Sequence, residues 1–491
     1  MIYIYLEGHN FRYEIYELVK VFSFDEEIIF VDNIDDYKEG ILIKNRVYDS
    51  NGQVGTITQI YENDKLVYES IRHSIEDIKI DRGDYDKKLR VCIKQGIYEG
   101  LTKISRVEAP WGILTGIRPV KIVHNLIDDE VDDDSILNIL IEEYKLYQEK
   151  AELILNIGKK QRKYLYPLDE NRFSLYVAIP FCPTRCIYCS FPSCNINRYG
   201  HLVDKYTDHL IYEIGKIAEL MDTKTISTVY IGGGTPTAIS SDNLERIIRS
   251  IYSNFGRNNI KEITVEAGRP DTMDYEMLEM LYANGIERIS INPQTMNDKT
   301  LKIIGRKHTS QDIIDVYFQA KEIGFDIINM DLIIGLPSEG VGEVRETLAK
   351  LEELDPENLT VHTLSVKRGS KFRDTMEKYQ IESQEVIEKM LDETRMFAKK
   401  MNLEPYYLYR QKQIMGNFEN IGYSKLGKEC IYNIIMMEEK ETVMAAGMGA
   451  VSKIFFPKEN RIERVPNVKS IEEYLGRIDE MIERKAKVLT L

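Results

Sequence analysis

Cys182-Pro183-Thr184-Arg185-Cys186-Ile187-Tyr188-Cys189 is the stretch from which the rest of this chain is read. It sets three cysteines at C-x3-C-x2-C spacing, just downstream of the apolar run Leu175-Tyr176-Val177-Ala178-Ile179. Three thiolates on one short loop can hold three irons of a four-iron, four-sulfur cluster, and no fourth cysteine stands at a spacing that closes the cube. Cys182, Cys186 and Cys189 are therefore the expected metal ligands. A zinc site competes with this reading. A closed structural zinc site wants four nitrogen or sulfur donors, usually from paired C-x2-C hooks. Here Cys194 lies five residues past Cys189 and no histidine stands in the loop.

A cluster with three protein ligands leaves one iron open. An open iron can chelate the amino and carboxylate groups of S-adenosylmethionine, and one electron then splits the sulfonium to a 5′-deoxyadenosyl radical. The C-x3-C-x2-C spacing, with an aromatic residue before the last cysteine, resembles the signature of the radical S-adenosylmethionine superfamily.

At 491 residues the chain is long enough for two or three domains. A net charge of -15 argues against a broad phosphate-binding surface, so no nucleic-acid partner is expected. No run approaches the ~20 apolar residues of a membrane span. The opening Met1-Ile2-Tyr3-Ile4-Tyr5-Leu6-Glu7 alternates like a strand and lacks the regions of a signal peptide, so the expectation is a cytoplasmic protein whose thiols stay reduced. Cys92, in a strand-like run after Arg90-Val91, reads as a small buried hydrophobe.

Residues 1–165 are expected to form an N-terminal α+β domain. Segments such as Glu27-Ile28-Ile29-Phe30-Val31 and Gly40-Ile41-Leu42-Ile43 alternate, and Ser50-Asn51-Gly52 signals a turn. Pro110 to Lys121 is a shaped loop with the only tryptophan, in which Arg118 and Lys121 either face an anionic ligand or are solvated charges on a packing loop. After the acidic run Asp128–Asp134, Ser135 is placed to cap the next helix. From residue 166 to 374 strands near 174–179, 227–232, 262–267, 287–292, 326–333 and 358–364 alternate with amphipathic helical stretches. That alternation predicts parallel βα units, and six of them predict an α/β partial (β/α)6 TIM-like barrel with its chemistry at the C-terminal strand ends. Residues 375–491 are expected to be a mostly helical, substrate-facing lid region.

Polar motifs fall at those strand ends. Gly232-Gly233-Gly234-Thr235 lets bare backbone approach a ligand. Glu266, Gln294 and Asp331 close the third, fourth and fifth strands, and Arg306 follows shortly after the fourth. Together with the cysteines and the Asp331-Leu332-Ile333-Ile334-Gly335-Leu336-Pro337 run, this set resembles the oxygen-independent coproporphyrinogen III oxidases, also called coproporphyrinogen dehydrogenases. The run Pro110-Trp111-Gly112-Ile113-Leu114-Thr115-Gly116-Ile117-Arg118-Pro119 resembles their long Gram-positive branch.

That resemblance implies two S-adenosylmethionine molecules. The first would touch Tyr176, Gly232, Gly233, Gly234 and Glu266; the second Tyr188, Gly234, Thr235, Gln294, Arg306 and Asp331, with Thr363 the match at the sixth strand. It further implies a monomer acting on a tetrapyrrole in haem (porphyrin) biosynthesis, supplied by an electron donor such as flavodoxin or ferredoxin, with no catalytic side chain beyond cluster and cofactor. Coproporphyrinogen III would lose two carboxyl groups to give protoporphyrinogen IX. Tyr406-Tyr407-Leu408-Tyr409-Arg410 and Asn417-Phe418-Glu419-Asn420 would line the lid; alone, the tyrosines equally suit an exposed edge strand. Two alternatives remain: another radical enzyme on a tetrapyrrole, such as one opening the haem ring, and a haem-binding chaperone. In the chaperones a histidine follows a cysteine where this chain has Cys430-Ile431-Tyr432, and the missing imidazole weighs against that reading. His308 and His362 remain as stray candidates for a haem ligand, each read first as a packing or hydrogen-bonding residue.

Overall fold

The computed structural model describes residues 1–23, 26–50, 53–72, 85–105, 107, 109–367, 369–411 and 418–490; Asn51, Gly52 and Asn417 lie outside them. They divide into two compact units, Met1–Lys159 with Arg410–Phe418, and Lys160–Tyr409 with Glu419–Leu491.

The first unit begins with β1 (Ile2–Glu7), α1 (Arg12–Phe22), β2 (Ile28–Val31), β3 (Ile41–Ser50), β4 (Gln53–Glu62) and β5 (Lys65–Arg72), which form one sheet in the order β2-β1-β3-β4-β5. Alternation along β1 sends Ile2 and Ile4 to the core with Ile15, Leu18 and Val19 of α1. Next comes α2 (Tyr85–Ile104), and it corrects the strand expected around Cys92. Leu89, Cys92, Ile93, Ile97 and Leu101 recur at helical spacing, and Cys92 is buried among them. Close packing explains the glycines of this helix: a Cβ at Gly96 would lie 2.5 Å from Thr58 Oγ1, and one at Gly100 2.4 Å from Ile60 Cδ1.

The Pro110–Lys121 loop buries Trp111, Ile113 and Leu114 in the same unit. The Arg410 guanidinium lies over the Trp111 ring, 4.9 Å from its centre. Burial, with the Arg410 charge beside it, pulls Lys94 down to about 8. Then follow α3 (Val120–Asp128), α4 (Asp133–Asn138) and α5 (Gln148–Leu165). The cap of α4 is Asp132 rather than Ser135: its carboxylate accepts from the Ser135 backbone N–H, and an anion suits a helix N-terminus better than a hydroxyl.

In the second unit the chain runs through β6 (Arg172–Ile179), β7 (Phe181–Cys182), β8 (Cys194–Asn195), α6 (Ile196–Tyr199), α7 (Val203–Leu220), β9 (Thr225–Gly233) and α8 (Ser241–Phe255). It continues with β10 (Glu262–Val265), α9 (Tyr275–Ala283), β11 (Arg288–Ser290), α10 (Asp298–Ile303), α11 (Ser310–Ile323), β12 (Ile327–Ile334), α12 (Val341–Leu354) and β13 (Asn358–Thr363). The strands β6, β9, β10, β11, β12 and β13 lie side by side and parallel. Each connection between them contains at least one α-helix, the usual crossover between parallel strands. This is the partial (β/α)6 barrel. Ser240, Asp274 and Thr309 cap α8, α9 and α11 through their side chains, fixing where each loop ends.

The C-terminal part supplies α13 (Lys371–Thr375), α14 (Gln384–Lys400), β14 (Glu404–Arg410), β15 (Glu419–Ser424), α15 (Ile431–Glu438), β16 (Thr442–Ala446), β17 (Val451–Phe456), β18 (Arg461–Pro466), α16 (Ile471–Gly476) and α17 (Ile478–Leu489). Besides its helices it extends the barrel sheet at both ends, giving eleven strands in the order β14-β15-β13-β12-β11-β10-β9-β6-β16-β17-β18. β16 adds to β6 in parallel, with Tyr176 opposite Ala445. The tyrosines of β14 are not an exposed edge, since Tyr406 and Tyr407 are 1% and 5% exposed.

Candidate active site at the C-terminal rim of the barrel

The three cysteines sit on the loop that leaves the first barrel strand. β7 pairs with β8, and the Cys194 N–H donates to the Pro180 carbonyl at 2.7 Å, closing the base of the loop. Further out, the Ile187 N–H donates to Ile304 O (3.1 Å), the Phe372 N–H donates to Ile187 O (2.9 Å), and the Thr184 hydroxyl donates to Gly305 O (2.9 Å). Arg269 adds a clamp. Its Nη1 donates to both the carbonyl and the hydroxyl of Thr184 (3.2 and 2.9 Å), while Nε and Nη2 hold Asp271 in a two-point fork at 2.9 and 2.8 Å.

Cys182, Cys186 and Cys189 are half-buried and in no disulfide. Burial pushes the Cys182 thiol up to about 11, with the Thr235 hydroxyl 3.6 Å from its sulfur, and burial also raises Cys189. Among the described residues no three His, Cys, Asp or Glu side chains converge closely enough for a single ion. Thiolates that bind separate irons of a cluster have no need to converge on one point, so the donor set fits a cluster better than zinc.

Gly232, Gly233 and Gly234 end β9 beside this loop. The Gly234 N–H donates to Ile179 O (2.8 Å), and a Cβ there would stand 2.7 Å from the Pro180 carbonyl carbon. Only glycine lets β9 come this near the start of the cysteine loop. A Cβ on Gly232 would likewise meet the Glu266 carboxylate at 2.7 Å.

Around Glu266 the barrel interior is polar and aromatic. Tyr230 Oη donates to Glu266 Oε1 at 2.6 Å and the Gly233 N–H to Oε2 at 3.3 Å. Burial pushes the Glu266 carboxyl up to about 7, and the nearby Asp331 charge adds to that. Tyr176, Tyr230 and Tyr432 stack, with ring centres 4.6 Å apart between Tyr230 and Tyr432 and 6.3 Å between Tyr176 and Tyr230. Tyr432 thus stands inside the barrel, its buried hydroxyl without a partner among the described residues.

A second group gathers around Asp331. Gln294 returns to β12 after β11 has ended, through a single bridge to Leu332; its N–H donates to Asp331 O at 2.8 Å. Its φ of 66° is left-handed, a strained conformation for a glutamine and of the kind that gathers at functional sites. Burial works to raise the Asp331 carboxyl, but His362 and the hydrogen bonds of Asn329 and Thr360 outweigh it and hold it below its ordinary value. His362 Nε2 lies 3.8 Å from Asp331 and its Nδ1 3.0 Å from Tyr409 Oη.

Arg306 is 7% exposed and donates to Asn292 O (2.5 Å) and Gly268 O (3.3 Å), leaving its Nε without a partner among the described residues. Tyr188 packs on Ile304, Ile333 and Leu336. Thr363 ends β13, but its hydroxyl already donates to Glu419 O at 3.1 Å. Tyr432, Arg306 and Asn292 each carry a buried polar atom without a partner among the described residues, which suits a polar ligand.

Sequence reasoning missed Tyr230, Tyr432 and His362 as members of the site. Tyr230 was legible in principle: it stands two residues before Gly232 on one strand, hence on the same face, and opposite Tyr176 in register.

A partial parallel barrel with three free cysteines after its first strand and glycines after its second is the architecture of a radical SAM protein. The pattern of the Radical SAM superfamily matches residues 176–351. This superfamily works with a [4Fe–4S] cluster and S-adenosylmethionine, and the cysteine loop and polar barrel end fit both groups. The solved structure titled a coproporphyrinogen III oxidase, HemN of Escherichia coli and a radical SAM enzyme, superposes with a TM-score of 0.52 at 25% identity over 66% of this chain and 73% of that one. Among curated proteins, the oxygen-independent coproporphyrinogen-III oxidase-like protein HemZ of Bacillus subtilis is 42% identical over 77% of each chain. The heme chaperone HemW of Buchnera aphidicola (Acyrthosiphon pisum) is 29% identical over 62% of this chain and 76% of its own. The chain belongs to the oxygen-independent coproporphyrinogen-III oxidase-like family of radical SAM proteins. No helix among the described residues is long and apolar enough to cross a membrane.

Proposed function

We propose that this protein removes two carboxyl groups from coproporphyrinogen III by oxidative decarboxylation, giving protoporphyrinogen IX. The observation that carries the reading is the cysteine loop clamped at the rim of a barrel whose interior holds Glu266, Asp331 and the Tyr176–Tyr230–Tyr432 stack. Bound at Cys182, Cys186 and Cys189, the cluster with S-adenosylmethionine supplies a carbon radical able to take hydrogen from a propionate side chain.

The side chains bind, orient and exclude water. Glu266 accepts from the ribose or ammonium of one S-adenosylmethionine, with Tyr176 packing on it and the Gly232–Gly234 backbone meeting its polar groups. Arg306, Gln294, Asp331, Tyr188, Thr235 and Thr363 surround a second. Arg306 is suited to a carboxylate because its buried Nε–H has no acceptor among the described residues. No general base is assigned.

The test is anaerobic. The reconstituted protein, given dithionite, S-adenosylmethionine and coproporphyrinogen III, is followed for 5′-deoxyadenosine and porphyrin mass. Both deoxyadenosine and loss of two carboxyl groups are the expected result. Deoxyadenosine with unchanged coproporphyrin would place the radical chemistry on another substrate, and tight haem retention without turnover would move the protein to the chaperones. Changing any of the three cysteines to Ala is expected to abolish cluster iron, read by iron analysis and the visible absorption of the cluster.

A further inference from the structure

We propose that the face outside the cysteine loop is the docking site of a small acidic one-electron carrier protein. The inference rests on the radical reaction proposed above, which calls for one electron at Cys182, Cys186 and Cys189. A cavity of about 800 Å³ opens beside Cys182, ringed by Arg185, Lys302, Arg306, Lys307 and Lys371, and no acidic side chain lines it among the described residues.

Two of these cations are committed. Arg306 serves carbonyls of the rim, and Arg185 Nη2 donates to Gly369 O at 2.9 Å. Lys302, Lys307 and Lys371 are exposed and form no ion pair among the described residues. Elsewhere on the surface such cations are commonly paired, as in Lys216–Glu219, Arg249–Glu245 and Lys389–Glu385. On the same loop Phe191, two residues past Cys189, is 59% exposed with Lys367 Nζ 5.9 Å from its ring centre.

The whole chain carries a net charge of -15, so an acidic carrier is repelled by most of its surface. Lysines without an ion pair among the described residues, gathered round one opening, reverse that sign locally and steer the carrier to an opening that Cys182 lines. A cationic rim with an exposed apolar ring on the same loop suits a small, short-lived contact, below about 1,200 Å² in electron-transfer pairs. In the docked pair one electron leaves the carrier, a flavin hydroquinone or reduced iron–sulfur protein, which is oxidised by one unit. It enters the iron–sulfur group, and no bond of either protein breaks.

The probe is flavodoxin hydroquinone, with the cluster-loaded full chain. The K302E/K307E/K371E variant should weaken its Kd at low salt about tenfold or more and flatten the salt dependence of binding. K261E is the control, because Lys261 precedes β10 and so lies at the opposite rim; it should change nothing. Dithionite, too small to need a docking face, should reduce the cluster of every variant alike. Unchanged flavodoxin affinity in the triple variant overturns the docking site, as does an equal loss in K261E. A cluster that dithionite cannot reduce in the unaltered protein would instead overturn the proposed reaction.

Discussion

Glu266 stands just past the end of β10, where burial makes its charge costly. Its carboxyl is pushed up to about 7 from an ordinary value near 4.5, so the buried group favours the protonated form. Stability from this shift is present in full below about 4.5 and is lost as pH rises through about 7. Ligand-free protein is therefore expected to lose stability between pH 5 and 8 more steeply than Glu266→Gln, read by denaturant titration. Affinity for S-adenosylmethionine should move the other way, rising through about pH 7 as the carboxylate forms. In Glu266→Gln it should be flat with pH and weaker by about tenfold or more, since hydrogen bonds to a charged group contribute about 1.5–3 kcal/mol. Equilibrium dialysis across that pH range checks both.

The loop between Cys182 and Cys186 owes its shape to a neighbouring element, the turn after β10. Arg269 reaches it through Thr184 and is held from behind by Asp271, with His308 Nδ1 3.6 Å further on. Arg269→Ala leaves Asp271 without its partner and Thr184 without its clamp. A loss of about 2–3 kcal/mol is expected, less than the ~3–5 for a fully buried pair because Asp271 keeps 24% exposure. Denaturant unfolding measures it, and slower iron incorporation should accompany it; Arg269→Lys keeps the charge but not the fork and should fall between.

At this same scale the sequence is readable where partners are close along the chain. The six barrel strands lie within a few residues of their expected places because each carries its own apolar run and its own following helix. β10 and β11 are shorter than expected, since the chain leaves the ladder after Val265 and Ser290 and carries Glu266 and Gln294 beyond it. Cys92 misled because a helix with glycines at Gly96 and Gly100 breaks its hydrophobic period where it meets the sheet. β15 to β18 went unread: they are short, and what makes them strands is pairing with partners the local pattern does not contain. Tyr432 was visible only as a departure from the chaperone pattern, because its place in the tyrosine stack depends on α15 folding back to β9 and β6.

In the barrel unit the C-terminal helix is fastened by one desolvated ion pair. Lys485 of α17 and Glu213 of α7 are both fully buried, 2.7 Å apart. Glu213 also accepts from Tyr474 Oη (2.7 Å), Asn467 Nδ2 (2.8 Å) and the Gly447 N–H (2.7 Å), which joins α16 and the β16–β17 turn to the same carboxylate. Lys485→Met leaves that anion buried without a cation and should cost about 3–5 kcal/mol. Adding Glu213→Gln removes the stranded charge, and most of the loss should return; denaturant unfolding of single and double variants measures the coupling. Recovery in the double variant would separate a charge penalty from simple loss of packing.

The parallel pairing of β16 with β6 governs how the protein emerges from the ribosome. Tyr176 meets Ala445, so the strand that launches the cysteine loop waits with one side bare while everything between them is translated. At roughly 5–20 residues per second that interval is on the order of 10–50 s. During it the nascent barrel presents an open, apolar strand edge beside three reduced thiols, the condition that invites wrong pairing and that chaperones guard against. Covering of that edge is therefore a late event, because it waits for Thr442–Ala446 while the partners that hold the cysteine loop, the last of them Phe372, are already made.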